Sequence, residues 1–83
     1  MPALKRLTLS YYAALRDAAG VREEPWTSGV RTAAELYAEA AARHGFRFEP
    51  AVLKVAVNDR MVSWETEIAD GDVVAFLPPF AGG

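Results

Sequence analysis

The residues best suited to chemistry stand at the C-terminal end, Pro78-Pro79-Phe80-Ala81-Gly82-Gly83. Two glycines leave the α-carboxylate with no side chain within two residues, so this end fits a narrow channel where any Cβ would clash. Glycine tolerates almost any φ/ψ, which lets the carboxylate bend toward a nucleotide or a nucleophile. The two prolines stop a preceding strand and hold the root of the tail extended. Six residues at ~3.3–3.6 Å each carry the carboxylate up to ~20 Å from the body. A carboxylate alone is a weak nucleophile and a poor electrophile. Joined to AMP, it gains a good leaving group. A sulfur donor can then displace AMP and leave a thiocarboxylate, or an amine can displace it and leave an amide. Gly83 is the expected reactive residue, with Gly82 supplying flexibility and access.

The other candidates read as structural. His44 is the only histidine, set in the last turn of a helix where partial positive charge suits the dipole. With no cysteine in the chain and no clustered partners, it makes a poor metal ligand, and no metal site is expected. Asp70 and Asp72 flank Gly71 and read as a turn whose carboxylates cap backbone donors. Glu23 and Glu24 are adjacent in a strand, face opposite sides and cannot share an acid/base site. No glycine-rich phosphate or dinucleotide motif is present, so no bound cofactor is expected. The net charge of -2 comes from mixed charges without a basic stripe, which argues against nucleic acid. No apolar run approaches the ~20 residues needed to cross a bilayer. The absence of cysteine fits a reducing cytosol, and a cytoplasmic location is expected.

The elements that must carry the tail are legible from periodicity. Leu7, Leu9 and Tyr11 alternate with Thr8, Ser10 and Tyr12, as in a strand with one buried face. Ala13 to Ala19 reads as a short helix closed by Gly20. Val21 to Thr27 is a second strand candidate that Pro25 marks as an edge strand or shortens. Thr32-Ala33-Ala34-Glu35 is a capping box opening the main helix, which ends at Gly45. Glu39 and Arg43 stand at i,i+4 on its outer side. Leu53, Val55 and Val57 mark a third strand. Asn58-Asp59-Arg60 turns into a short fourth through Met61 and Val62. Val73 to Leu77 is a continuous apolar run, expected to be a central strand covered on both faces. One main helix on a mixed sheet gives an α+β domain over residues 1–77, with residues 78–83 as a separate extended tail.

The strand-Pro-Pro-Phe-Ala-Gly-Gly ending, preceded by Asp70-Gly71-Asp72-Val73-Val74-Ala75-Phe76, resembles the small subunit of molybdopterin synthase. So do Leu15-Arg16 leading to Gly20, and Val57-Asn58-Asp59-Arg60-Met61-Val62. The resemblance spans the chain, with its last fourteen residues the specific part. It implies a β-grasp, ubiquitin-like fold with the first and last strands parallel and adjacent at the sheet's centre. Residues 1–5 are then a peripheral extension. It also implies a cycle. An ubiquitin-activating-like adenylyltransferase spends ATP and Mg²⁺ on Gly83, sulfuration gives the thiocarboxylate, and the tail enters a larger synthase subunit. There sulfur passes to cyclic pyranopterin monophosphate, in a heterotetramer of two small and two large subunits. The chain alone would not be an enzyme. The thiamine-pathway sulfur carrier and a protein modifier joined to lysines are the alternatives.

The expected docking surface follows from parity along the strands. If Phe76 and Val74 face the helix, Leu77 joins Tyr12 on the helix-free face. Met61 extends that patch, and Phe80 and Ala81 lie on the tail that enters the partner.

Overall fold

The computed structural model describes residues 3–78. Five strands form one sheet in the order β2-β1-β5-β3-β4, where β1 is Lys5–Tyr11, β2 Glu23–Ser28, β3 Lys54–Val57, β4 Arg60–Val62 and β5 Val73–Leu77. Two α-helices, α1 at Ala13–Ala19 and α2 at Ala33–His44, interrupt them, with a 3₁₀ turn over Pro50–Val52. Only β1 and β5 run parallel, in a register that sets Thr8 beside Val73 and Tyr11 beside Phe76. The other three pairings are antiparallel. This is the mixed β-grasp sheet expected, with the first and last strands side by side and parallel at its centre.

Local chemistry explains the turns and helix ends. At the start of α2, the Thr32 hydroxyl accepts from the Glu35 amide, while Oε1 of Glu35 accepts from the Thr32 and Arg31 amides. Gly45 closes the same helix at φ 74, in the left-handed region where a glycine carries no Cβ penalty. The β3–β4 hairpin turns on Asn58 and Asp59 at φ 52 and 70, the pair of positive angles that a tight hairpin needs and that Asn and Asp tolerate. Asn58 also ties this hairpin to the start of β5. Its Nδ2 donates to Asp72 at 2.9 Å, and its Oδ1 accepts from the Val73 amide at 2.9 Å. Asp70 accepts from the Arg6 amide and Asp72 from the Ala69 amide, so both carboxylates cap backbone donors as expected.

The core lies between α2 and one face of the sheet. Leu7, Leu9, Tyr11, Val55, Val74 and Phe76 from the sheet meet Ala33, Leu36, Tyr37 and Ala40 from α2, with Leu15 of α1 and Ile68 closing its sides. The small alanines let the helix lie close on the strands. Phe76 is fully buried, with Tyr37 against it edge-on at 5.2 Å and Trp64 stacked at 6.1 Å.

Several expectations are corrected. Lys5 belongs to β1, paired with Ser28, so it is not part of a peripheral extension. Strand β2 starts two residues later than expected and reaches Ser28; it is an edge strand, as Pro25 required. Leu53 is buried just ahead of β3 rather than within it. Tyr12 is not on the strand. It caps α1 in an extended conformation, and the next residue, Ala13, turns the chain at φ 50. Glu39 and Arg43 both engage Trp26 instead of pairing: Glu39 accepts from the indole N–H at 3.0 Å, and the guanidinium lies 5.5 Å from the ring centre. Strand β5 is central, but only one of its faces is closed: Val74 and Phe76 are buried, Ala75 and Leu77 are half-buried, and Val73 is exposed.

Candidate functional site

The root of the tail is set by β5. Its last residue, Leu77, pairs with Lys54 of β3, and Phe76 pairs with Tyr11 at the end of β1. Side chains alternate along a strand, so the burial of Phe76 under α2 sends Leu77 and Ala75 to the helix-free face. The registers build that face row by row. Ala75 stands between Ser10 and Ala56, Ala56 faces Met61, and Ser10 faces Glu23. Serine and two alanines make a low floor, and Met61, 59% exposed, rises at one end of it. Tyr12, which follows the Tyr11–Phe76 pair and caps α1, is 50% exposed. Val73, 41% exposed, extends the apolar surface.

Met61 and Leu77 thus share one side of the sheet near the end of β5, and Tyr12 is exposed just past the end of β1. Phe80, Ala81, Gly82 and Gly83 lie outside the described residues. Ala75 was expected on this face with Leu77, whereas Ser10 and Ala56 beside it, the exposed Val73, and Lys54 beside Leu77 were not anticipated. Parity along β5 reaches Val73, but Ser10, Ala56 and Lys54 follow only from the cross-strand registers.

The opposite side of the sheet end carries the principal polar cluster. The Tyr11 hydroxyl donates to Oε2 of Glu24 at 2.5 Å, and Nε2 of His44 lies 2.6 Å from the same oxygen. Tyr11 also packs edge-on against His44 and Phe46. One carboxylate therefore joins the end of β1, the edge strand β2 and the last turn of α2. Burial pushes the Tyr11 phenol well above its ordinary range, and the Glu24 charge adds to that. For Glu24, burial favours the neutral acid, but the hydrogen bonds from Tyr11 and His44 and the charges of His44 and Arg43 outweigh it, leaving a pKa below the ordinary 4.5. His44 has the structural role expected of it. Among the described residues no group of three or more metal-ligating side chains comes together. Nor is any helix long and apolar enough to cross a membrane.

This cluster gives the fold an acid limb. A carboxylate whose folded pKa is depressed contributes stability that is present above its unfolded pKa and is lost as pH falls through the folded one. Glu35, held down by the Arg31 and Thr32 amides, acts in the same direction. Urea midpoints are thus expected to hold steady from neutral pH down to about 4.5 and to fall below it. Glu24→Gln keeps an acceptor oxygen and loses the charge, so it is expected to flatten part of that fall. An unchanged acid limb in Glu24→Gln would assign it to other carboxylates.

The sheet sets the end of β5 beside an apolar, helix-free surface. The family model of the ThiS family matches residues 9–83. The chain is 33% identical over 76 residues to the molybdopterin synthase sulfur carrier subunit of Escherichia coli K12, covering 88% of this chain and 94% of that one. Among solved structures, a putative molybdopterin converting factor subunit 1 from Pyrococcus furiosus superposes with a TM-score of 0.72 at 33% identity, covering 92% of this chain and 99% of that one. A complex of subunits 1 and 2 of the molybdopterin-converting factor from Helicobacter pylori matches with a TM-score of 0.63 at 25% identity, covering 94% of this chain and 99% of the other.

Proposed function

Since this chain belongs to the ThiS family, we propose that it is the sulfur-carrier small subunit of a molybdopterin synthase. The observation that carries the reading is the 33% identity to a molybdopterin synthase sulfur carrier subunit, maintained over nearly the full length of both chains. The chemistry sits on Gly83. Its carboxylate attacks the α-phosphorus of ATP held with Mg²⁺ by an ubiquitin-activating-like partner, and pyrophosphate leaves. A sulfide-level nucleophile then attacks the carbonyl carbon, a C–S bond forms, and AMP departs with the electron pair of the broken C–O bond. Loss of the sulfur's proton leaves a thiocarboxylate, which is anionic at neutral pH. The carrier itself supplies no acid, base or metal and does not turn over alone. Its substrate, reached inside a larger subunit, is cyclic pyranopterin monophosphate, which takes up the sulfur.

The test is intact mass. Chain purified after exposure to ATP, Mg²⁺, the activating enzyme and its sulfur donor is expected to gain the mass difference of one oxygen exchanged for one sulfur, confined to the C-terminal peptide. A chain that stays a plain carboxylate under those conditions would refute the reading.

Docking is assigned to the helix-free face. Tyr12, Met61 and Leu77 have the aromatic and Met character of an interface core, and Phe80 and Ala81 continue from it into the partner. The complex of subunits 1 and 2 of the Helicobacter pylori molybdopterin-converting factor supports a second-subunit partner for this chain. Losing an anchor of this type costs about 1–3 kcal/mol of binding. Tyr12→Ser with Leu77→Ser is accordingly expected to weaken calorimetric affinity for the large subunit at least tenfold. Equal affinity in the folded double mutant would move the docking face elsewhere.

A further inference from the structure

The helix-free face is not flat. Its middle row runs from Ser10 on β1 through Ala75 on β5 to Ala56 on β3, with Met61 of β4 at one end and the exposed Glu23 of the edge strand at the other. No helix covers this face, yet Ser10 is 7% exposed and Ala56 8%. Taller neighbours close them in. Val73 and Leu77 stand two residues either side of Ala75 on the same strand, ~7 Å away, and Met61 rises beside Ala56. The row is therefore a shallow trough. From Ser10 to Ala56 it spans two strand spacings, roughly 10 Å, long enough for one aromatic side chain laid flat. Its ends differ in chemistry. Ser10 and Ser28 are both buried, and the Ser28 hydroxyl accepts from the Val30 amide at 3.1 Å. The Ser10 hydroxyl has no hydrogen-bond partner among the described residues. Leu9 and Tyr11 on either side of it face the core, so Ser10 points the other way. No enclosed side-chain oxygen or nitrogen is left unpaired among the described residues, so the Ser10 oxygen opens onto the trough.

We propose that the trough of Ser10, Ala75 and Ala56 receives a tyrosine or tryptophan side chain of the large subunit, its ring over the two alanines against Met61 and its polar atom bonded to the Ser10 hydroxyl. This rests on the reading that the helix-free face docks that subunit. A wholly apolar side chain would fill the trough but bury the Ser10 hydroxyl without a partner, which costs affinity. A charged one would give up its water over the alanines with nothing opposite to replace it. Tyrosine and tryptophan combine an apolar body with one polar tip, and side chains of this kind carry much of the energy of protein interfaces. A second copy of this chain is a poorer occupant. The residue that rises from its own row is Met61, whose thioether is only a weak acceptor for the Ser10 hydroxyl. Trough and flat patch also respond in opposite ways to added bulk. On a flat patch a larger apolar side chain adds buried area and tightens binding. On the floor of a trough it fills the space that the ring needs.

The experiment titrates full-length Ala75→Leu calorimetrically against the large subunit. The Ala75 side chain points away from the core, so the melting temperature is expected to hold. Ala75→Val, smaller and suited to a strand, serves if leucine disturbs β5. Affinity is expected to fall at least about tenfold in Ala75→Leu and by a smaller factor in Ala75→Val. Ser10→Ala keeps the trough and removes its polar end. It is expected to weaken binding about tenfold, because the polar atom of the incoming ring is left unpaired. Unchanged or tighter binding in the folded Ala75 variants would overturn the proposal by showing a flat contact. So would unchanged binding in Ser10→Ala, or sedimentation in which the carrier alone is a dimer that Ala75→Leu splits. The double variant Tyr12→Ser with Leu77→Ser decides separately whether this face docks. If it weakens binding while Ala75→Leu does not, the docking face stands and the trough proposal falls. The sulfur-for-oxygen mass gain at Gly83 is read apart from both.

Discussion

Deletion of Gly83 is expected to abolish sulfur transfer and to leave thermal unfolding where it was. The core of Leu9, Tyr11, Leu36, Val55, Val74 and Phe76 is complete by residue 76, and β5 ends at Leu77. The deletion therefore removes the reacting carboxylate without removing a buried group of the described core. It shortens the tail by ~3.3–3.6 Å, and reacting atoms must come within about 3–3.5 Å of one another, so the new terminal carboxylate at Gly82 falls short of the position where activation occurs. The measurement pairs synthase turnover, reconstituted with the large subunit, with a melting curve. Retained turnover would show that the terminal carboxylate is not the sulfur carrier. Lost turnover with a large fall in melting temperature would instead make the tail part of the fold.

The largest expected effect on the fold is that of Phe76→Ala. Phe76 is wholly buried, flanked by Tyr11, Tyr37 and Trp64. Truncating such a side chain costs about 3–5 kcal/mol through lost transfer energy and the cavity left behind. At about 0.05–0.15 kcal/mol per residue, a chain of this size has only ~4–12 kcal/mol in hand. The melting temperature is expected to drop by at least about 12 °C, and the weakest-case chain would be unfolded at room temperature. Phe76→Leu, which refills much of the space, separates packing from any role of the ring. A fall under about 1 kcal/mol in Phe76→Ala would mean that Tyr37 and Trp64 collapse into the gap.

How much of this was legible in the sequence depends on the range of the interactions. The capping box at Thr32, the left-handed stop at Gly45 and the edge position of Pro25 are local devices, complete within a few residues, and each stands where periodicity and turn chemistry placed it. The apolar run Val73 to Leu77 was a weaker guide. Hydrophobicity alone cannot separate a strand covered on both sides from one whose second side is closed only by small neighbours, here Ser10 and Ala56 beside Ala75. The Tyr11–Glu24–His44 cluster joins residues 13 and 20 positions apart, and no spacing rule points to it. At the candidate site, the side of the sheet taken by Leu77 followed from one decision about Phe76. The outward placement of Tyr12 came instead from the turn at Ala13, whose φ of 50 nothing in the sequence announced.

The pairing of β1 with β5 bears on how the protein is made. Strand β1 is the first of the five strands to leave the ribosome, and β5, which joins it to β3, is the last of them. Until β5 is out, β1–β2 and β3–β4 are two hairpins with nothing between them, and α2 has half a floor to lie on. Isolated two-stranded hairpins are marginal in water, so the nascent chain has little to fold around before β5 is made. A chain that stops early, or loses its end to a protease before folding, lacks the central strand as well as the tail. Such chains cannot complete the sheet, so topology alone restricts the folded domain to molecules translated through β5.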